Sequence, residues 1–226
     1  MPGSSPLIAL ISATPTAIGP AAASISDQIP DARVWNLLDD RLLSDANAAG
    51  LVTPQLAQRM NRLISHAILE GADAVLLTCS MYGPVAQAFT AEIPVLPPDD
   101  AGFSEVIALE SSRVLIVASF EAALADTTSR FTNAAQLHNS EIEVTGTVAA
   151  GALEAAGDGD YDALLRAVVS ACEPFRTEVD AVFLAQYSLA PVAADLSEAI
   201  KLPIFSGPAS AAAYLSKRLD SAGSTS

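Results

Sequence analysis

Cysteine and histidine are both scarce in this 226-residue chain, which carries Cys79, Cys172, His66 and His138 and no others. Two cysteines so far apart exclude a disulfide framework, and with two histidines a zinc site is not expected, so the metal-ligand set reads as none. Basic residues are few as well: 11 Lys and Arg stand against 26 Asp and Glu, a net charge of −15. That balance leaves no basic stripe for nucleic acid or for an anionic membrane. Long apolar runs are missing too. Hydrophobic residues make up 51% of the chain, but they come in strand-length pieces such as Ala74–Leu77 and Val114–Ala118, far short of the ~20 residues of a bilayer span. No basic segment followed by a long apolar stretch opens the sequence, so a soluble, cytoplasmic protein is expected. Neither a Gly-x-Gly-x-x-Gly after an early strand nor a Gly-Lys-Ser/Thr occurs, which leaves a dinucleotide site and a P-loop unsupported.

What the chain does have is regular alternation. Leu7–Ser12 reads as a strand, followed by a turn at Ser12-Ala-Thr-Pro15 and a helix to about Gln28. Pro15 and Pro20 suit the first turn of that helix better than its interior. A strand over Arg33–Leu37 precedes the acidic pair Asp39-Asp40. Pro54–Glu70 has helical spacing, with Leu56, Met60, Leu63, Ile64, Ala67 and Ile68 on one face, and Gly71 closes it. The strand Ala74–Leu77, a short helix over about Val85–Thr90 and a strand over Ile93–Leu96 follow, with a stop at Pro97-Pro98. Then come a helix over Asp99–Ser111, the strand Val114–Ser119, a helix over Glu121–Asn139 and the strand Ile142–Thr147. Gly157–Asp160 marks an exposed loop before a helix over Tyr161–Glu178, and Ile204–Gly207 precedes a helix over Ala209–Leu219. Met1–Pro6 and Ser221–Ser226 read as loose ends. The order βαβαβαβ, twice over, predicts parallel sheets covered by helices on both faces.

The second half repeats the first. Glu178–Leu196 lies over Gly71–Phe89 without gaps, at an offset of 107 residues. Asp73 falls on Asp180, Ala74 on Ala181 and Leu77 on Leu184; beyond the turn Pro84-Val-Ala86 falls on Pro191-Val-Ala193. Ile8–Ala13 lies over Val114–Ser119 and Ile93–Val95 over Leu202–Ile204. Duplication of this kind is to be read before any single motif. It sets Cys79, at the end of one buried strand, in the same place as Gln186 at the end of another.

A thiol at the carboxyl end of a buried strand stands where open α/β sheets take their ligands, and a helix N-terminus close by favours the thiolate. A small hydrophobe in the core is the plain alternative for Cys79. Cys172 matches Ser65 on the equivalent helix and reads as packing. His66 and His138 read as ordinary helix residues, and no spacing brings either one to the strand ends.

At these residues the chain resembles the aspartate/glutamate/hydantoin racemase superfamily, which also contains arylmalonate decarboxylase and maleate isomerase. Three signatures carry the resemblance: Ser12-Ala-Thr-Pro15, Asn36-Leu-Leu-Asp-Asp40, and the paired motifs at Cys79 and Gln186. It implies two pseudo-symmetric flavodoxin-like α/β lobes, each with a parallel sheet flanked by helices, and an active site between them. The first lobe would span residues 1–97, with a C-terminal helix over 208–226 returning to it, and the second residues 98–207. It implies no metal, pyridoxal phosphate or nucleotide cofactor, a small carboxylate or amino-acid-like substrate, and leaves a homodimer open.

The resemblance also marks a departure. Racemases of this kind carry a cysteine on each lobe, because a proton removed from one face of a carbon and returned to the other needs an acid/base on each side. Here the second position holds Gln186, whose carboxamide hydrogen-bonds but does not titrate. One thiol can still protonate an enediolate after loss of carbon dioxide, although in arylmalonate decarboxylase the cysteine is on the other lobe. It can also add to a maleate-like double bond. Ser80, Ser119 and Ser188, with Ser12 and Thr14, are then candidates to steady the carboxylate charge, with Gln186 as an orienting donor and Tyr187 as a wall or donor. The same serines suit turns and helix caps. Two other readings stay open: a weakly catalytic carboxylate-binding sensor or carrier, and an enzyme whose second base is His66, His138 or Tyr187. With a net charge of −15, amides and hydroxyls must hold any carboxylate, since no arginine stands beside either motif.

Overall fold

A computed structural model of the chain describes residues 5–109 and 113–223. It divides into two compact units, the first running to Pro98 and resuming from Ala211, the second spanning Asp99–Ser210.

In the first unit β1 (Leu7–Ser12) pairs in parallel with β2 (Arg33–Leu38) and with β3 (Ala74–Leu77), and β3 pairs with β4 (Val95–Leu96), giving the order β2-β1-β3-β4. Every residue of β3 is buried, as a strand covered by helices on both faces requires. The helices are α1 (Ile18–Gln28), α2 (Arg41–Ala49), α3 (Pro54–Leu69) and α4 (Gly83–Ala88). α3 turns Leu56, Met60, Ile64 and Ala67 inward onto Ala9, Val75 and Leu77. Gly71 follows that helix at φ 86°, a left-handed conformation that glycine adopts without penalty.

The second unit repeats the scheme with β5 (Arg113–Ala118), β6 (Glu143–Val148), β7 (Ala181–Leu184) and β8 (Ile204–Ser206) in the order β6-β5-β7-β8. Its helices are α5 (Asp100–Ala108), α6 (Glu121–Leu137), α7 (Ala152–Asp158), α8 (Tyr161–Cys172) and α9 (Ala193–Ile200). The C-terminal helix α10 covers Gly207–Gly223. Two four-stranded parallel sheets flanked by helices are the architecture expected from the alternation.

The repeat holds at the level of single bonds. Ile8 pairs with Ala74 and Val114 with Ala181, so the offsets read from the sequence are the offsets of the register. The carboxylates of Asp73 and Asp180 accept from the amides of Leu7 and Arg113, at 2.7 and 3.0 Å, starting each central strand pair alike. α3 and α8 begin at equivalent positions with equivalent caps: Thr53 accepts from the Leu56 amide at 3.3 Å and Asp160 from the Ala163 amide at 2.9 Å.

Several expectations need correction. Helix α2 occupies a stretch the spacing left unassigned, and α7 takes in Gly157 and Asp158, the first half of what read as the Gly157–Asp160 loop, Gly159 closing it at φ 70°. The strand expected over Ile93–Leu96 is only Val95–Leu96. Pro94 has no N–H to give and contributes through its carbonyl, which accepts from Val75 at 2.9 Å. The helix expected to Glu178 ends at Cys172 and passes through a 3-10 turn at Glu173–Phe175, where Pro174 cannot continue the ladder. The C-terminal helix runs on through Gly223, past Ser221, where a loose tail was expected to start. The last residues of the helix expected over Asp99–Ser111 lie outside the described residues, as do most of the loose N-terminus and the final three residues.

Candidate active site

In a sheet ordered β2-β1-β3-β4 the crevice lies at the carboxyl ends of the two central strands, where the connections turn to opposite faces. Each unit has one such place.

In the first unit it is formed by the ends of β1 and β3. Cys79 follows β3 in extended conformation, φ −114° and ψ 115°, and its carbonyl accepts from Tyr82 as the chain closes a 3-10 turn at Ser80–Tyr82. The thiol is half-buried and packs on the same apolar cluster as Met81 and Val85. The helix anticipated after Gly83-Pro84 is present, but the 3-10 turn intervenes, and Cys79 itself stands in the cap position. Ser12 is fully buried, and its hydroxyl accepts from Thr78 Oγ1 at 2.9 Å, tying β1 to β3 one residue below the thiol. Thr14 is partly exposed and accepts from Thr16 Oγ1 at 3.4 Å. Ser80 is partly exposed in the turn.

Below Cys79 lies a group that sequence reasoning missed. Tyr82 is fully buried and donates to the Leu42 carbonyl at 2.9 Å. Burial, with Cys79 and the Asp39 and Asp45 carboxylates adding and Arg59 opposing, pushes its phenol up to about 12. Arg59 holds Asp39 through two nitrogens, at 2.6 and 2.7 Å, and Asp45 through a third at 3.2 Å. The acidic pair Asp39-Asp40 was visible in the sequence, but its partner lies on another helix and no local spacing joins them.

In the second unit the crevice is formed by the ends of β5 and β7. Gln186 stands at the position equivalent to Cys79, extended and partly exposed. Its Oε1 accepts from the Ser119 amide at 2.7 Å, and its Nε2 donates to Ser119 Oγ at 2.8 Å. Both ends of the carboxamide therefore engage one residue. Tyr187 is buried, and desolvation followed by the Asp99 charge raises its phenol well above the usual value, so it stays neutral. Ser188 is partly exposed. Asp99, fully buried, is ion-paired to Arg130 at 2.8 Å; burial lowers the guanidinium pKa, but the Asp99 and Asp126 charges outweigh it and hold it above its usual value.

The structure thus gathers Ser12, Thr78, Cys79 and Ser80 in one crevice and Ser119, Gln186, Tyr187 and Ser188 in the other. It brings neither histidine to either crevice. His66 is exposed near the end of α3, edge-on to Trp35 at 5.5 Å, and His138 closes α6 on the surface. Those helix ends lead into the start of a strand, so both lie at the opposite edge of their sheets. Cys172 is buried in the second core, and burial raises its thiol to about 12. Among the described residues no cluster of His, Cys, Asp and Glu is placed to hold a metal, and no helix is long and apolar enough to cross a membrane.

The model of the Asp/Glu/hydantoin racemase family matches residues 21–215. The chain belongs to that family. The matched stretch starts after Ser12–Pro15 but takes in Asn36–Asp40, Cys79 and Gln186. Among solved structures the fold of this racemase-family chain is similar to that of Picrophilus torridus aspartate racemase, at 16% identity and a TM-score of 0.76 over 94% of each chain. It is similar also to glutamate racemase RacE1 of Bacillus anthracis, at 14% identity and a TM-score of 0.72 over 98% of this chain and 84% of that one. Allantoin racemase of Klebsiella pneumoniae shares 16% identity and a TM-score of 0.72 over 97% and 89%. A search of curated proteins finds no match. Family membership supports an enzyme of racemase or isomerase type.

Proposed function

We propose that this chain is a cofactor-independent enzyme acting at the carbon next to a carboxylate of a small carboxylic or amino acid, with Cys79 as its sole thiol acid/base or nucleophile. One observation carries the reading: the thiol at the switch point of the first unit has as its counterpart a carboxamide that cannot titrate. As a thiolate, Cys79 takes the proton from the carbon, leaving an enediolate whose charge rests on the carboxylate oxygens. The new S–H returns a proton to the same face. On its own this is a partial reaction of a racemase/isomerase-type site: the thiol exchanges with solvent, and the carbon gains a solvent hydrogen with its configuration kept. Ser80, partly exposed in the turn after Cys79, is the hydroxyl of the first unit offered to that charge, while the buried Ser119 and the partly exposed Ser188 occupy the corresponding strand ends of the second unit. Ser12 holds Thr78 instead, and Thr14 flanks the turn.

A second reading has specific support in Gln186. If a substrate dicarboxylate loses carbon dioxide, the enediolate is already formed, and one S–H suffices to protonate it. Solvent then reloads the thiolate. A one-thiol decarboxylase therefore needs no second acid/base.

Proton exchange in heavy water, followed by NMR, separates the two. The panel holds both enantiomers of aspartate and glutamate, a hydantoin, maleate and an arylmalonate, with Cys79→Ala as control. Exchange without inversion, lost in the variant, supports the first reading, and carbon dioxide release supports the second. Isomerised maleate means covalent addition by the thiolate. Exchange with inversion overturns both readings, because it demands a second base. Silence across the panel, with Cys79 unreactive toward iodoacetamide, points to a carboxylate-binding protein.

A further inference from the structure

The two units fill the space between their long helix and the helix after their central strand in different ways. Asp160, which caps α8, stands 107 residues after Thr53, which caps α3, and Ala181 of β7 stands 107 after Ala74 of β3. Ala57 and Asn61 of α3, Val85 of α4 and Phe89 just beyond it therefore answer to Leu164, Val168, Val192 and Leu196. In the second unit all four are buried and share one apolar cluster with Ala152 and Ala155 of α7. In the first unit each of the four is partly open.

The first unit has a cleft there of about 540 Å³, with Val52, Ala57, Asn61, Met81, Val85 and Phe89 among its lining residues. A volume of that order holds a small ligand. It is a different place from the crevice at the strand ends, because none of Ser12, Thr14, Cys79 and Ser80 lines it. Two differences from the second unit open it. Ala57 is much smaller than Leu164, and Asn61 sets a carboxamide where Val168 packs. Asn61 Oδ1 is enclosed with no hydrogen-bond partner among the described residues, and an enclosed, unpaired carbonyl costs about 1–3 kcal/mol. Packing alone favours the leucine and valine that the second unit has. A binding site keeps open space and an unpaired polar atom at a cost in stability.

We propose that this cleft binds a small, neutral aromatic molecule of the indole or phenol class, its ring lying between α3 and α4 against Met81 and Phe89. A methionine sulfur and an aromatic side chain both favour a ring as partner. The lining is apolar apart from Asn61 and Thr90, so a charged ligand would lose its hydration there without gaining a counter-ion. Such binding requires no chemistry at Cys79, although Met81 belongs to the 3-10 turn that follows the thiol.

The test is a titration of the full chain, its methyl groups labelled with carbon-13, with indole as probe. Indole is expected to move the Ala57, Met81 and Val85 methyl resonances saturably and to leave those of Leu164 and Val192 in place. Benzylamine is a cation at neutral pH, attracted by a net charge of −15, yet it is expected to bind the cleft about tenfold more weakly or worse. Ala57→Leu combined with Asn61→Val copies the second unit. That double variant is expected to unfold at no lower urea concentration than the parent, while indole binding, read at Met81 and Val85, falls by about tenfold or more. Indole that moves no resonance, or moves those of both units alike, overturns the site. A double variant that binds indole as well as the parent overturns it too, and so does one that fails to fold, because the space for the larger side chains would then not exist. Benzylamine bound as tightly as indole overturns the ligand class. Cleft resonances that shift with protein concentration in the absence of indole would mean that a second copy covers the groove, and they would overturn the site as well.

Discussion

In the first unit Ile8 pairs with Ala74 and in the second Val114 pairs with Ala181, so each residue of one central strand pair has a counterpart in the other. Two layers above the switch point then differ. In the inner layer, Ser12 and Thr78 share a buried hydrogen bond, whereas Ala118 and Ala185 pack without one. In the outer layer, Ala13 and Cys79 present an apolar residue and a thiol, whereas Ser119 and Gln186 present a doubly bonded polar couple. The same backbone therefore carries a titratable group in one unit and a hydrogen-bonded carboxamide in the other. Polar character has moved outward by one residue, from a pair shielded from solvent to a couple whose carboxamide is partly open to it. A thiol and a hydrogen-bonded carboxamide can occupy equivalent positions because the backbone needs neither polar layer to set its register.

The largest effect expected from breaking this asymmetry is at the thiol. Cys79→Ala is expected to lower the rate of deuterium incorporation by about a thousandfold, the usual contribution of one positioned acid/base. The residual stability of the variant, read by urea unfolding, is expected to stay near the parent's because Cys79 is half-buried. Comparable loss of fold and activity would return Cys79 to a packing role.

The next largest is in the ion pairs. Asp99 is fully buried on Arg130, while Asp39, Asp45 and Arg59 are all partly open to solvent. Asp99→Ala leaves a mostly buried guanidinium with Asp126, the Thr127 hydroxyl and the Phe103 ring, and a loss of about 3 kcal/mol is expected. Arg59→Met is expected to cost about 1 kcal/mol, since solvent screens its bidentate pair. Equal losses in urea unfolding would mean that the two units bury their charges alike.

A finer test converts one inner layer into the other. Thr78→Val or Ser12→Ala alone strands one buried hydroxyl and is expected to cost about 1–2 kcal/mol. Together they reproduce the apolar layer of the second unit. The double variant is expected to lose clearly less than the sum of the singles, because no polar group is left unpaired. Additive losses would show that the two hydroxyls do not depend on each other.

Much of this contrast was legible in the sequence, and the rest was hidden for physical reasons. The strands were readable because a parallel strand buried on both faces is a continuous apolar run, as at Ala74–Leu77. Gapless alignment of Gly71–Phe89 with Glu178–Leu196 set Cys79 at the position equivalent to Gln186, since duplicated units keep their spacing where the core is packed. Helix α2 escaped notice because its buried residues, Leu42 and Ala46, make only one turn of apolar spacing. What Gln186 does was not readable. A carboxamide can face a ligand or its own backbone, and only the position of the Ser119 amide and hydroxyl decides. Asp99 and Arg130 escaped for the same reason: a charge beside two prolines looks like a surface turn until the fold closes over it.

The smallest effect concerns the two cores. Cys172 falls on Ser65 of the equivalent helix, and burial raises its thiol from 9.0 to about 12. In the unfolded chain that thiol gives up its proton near its ordinary value, while the folded chain keeps it. Between about pH 9 and pH 12 the folded state therefore binds more protons, and stability falls as pH rises through that window. Full stability is present below it. Cys172→Val keeps an apolar side chain in the site and removes the proton, so the parent is expected to lose about 1 kcal/mol relative to the variant between pH 8 and pH 10. Tyr82 and Tyr187 are present in both proteins and cancel in the difference. Ser65→Ala changes the counterpart position in the first unit, where nothing titrates, and its difference from the parent is expected to stay flat over the same range. A flat difference for Cys172→Val as well would mean that its thiol ionises in the folded protein as freely as in the unfolded one. The core around α8 would then be open to water where the core around α3 is closed.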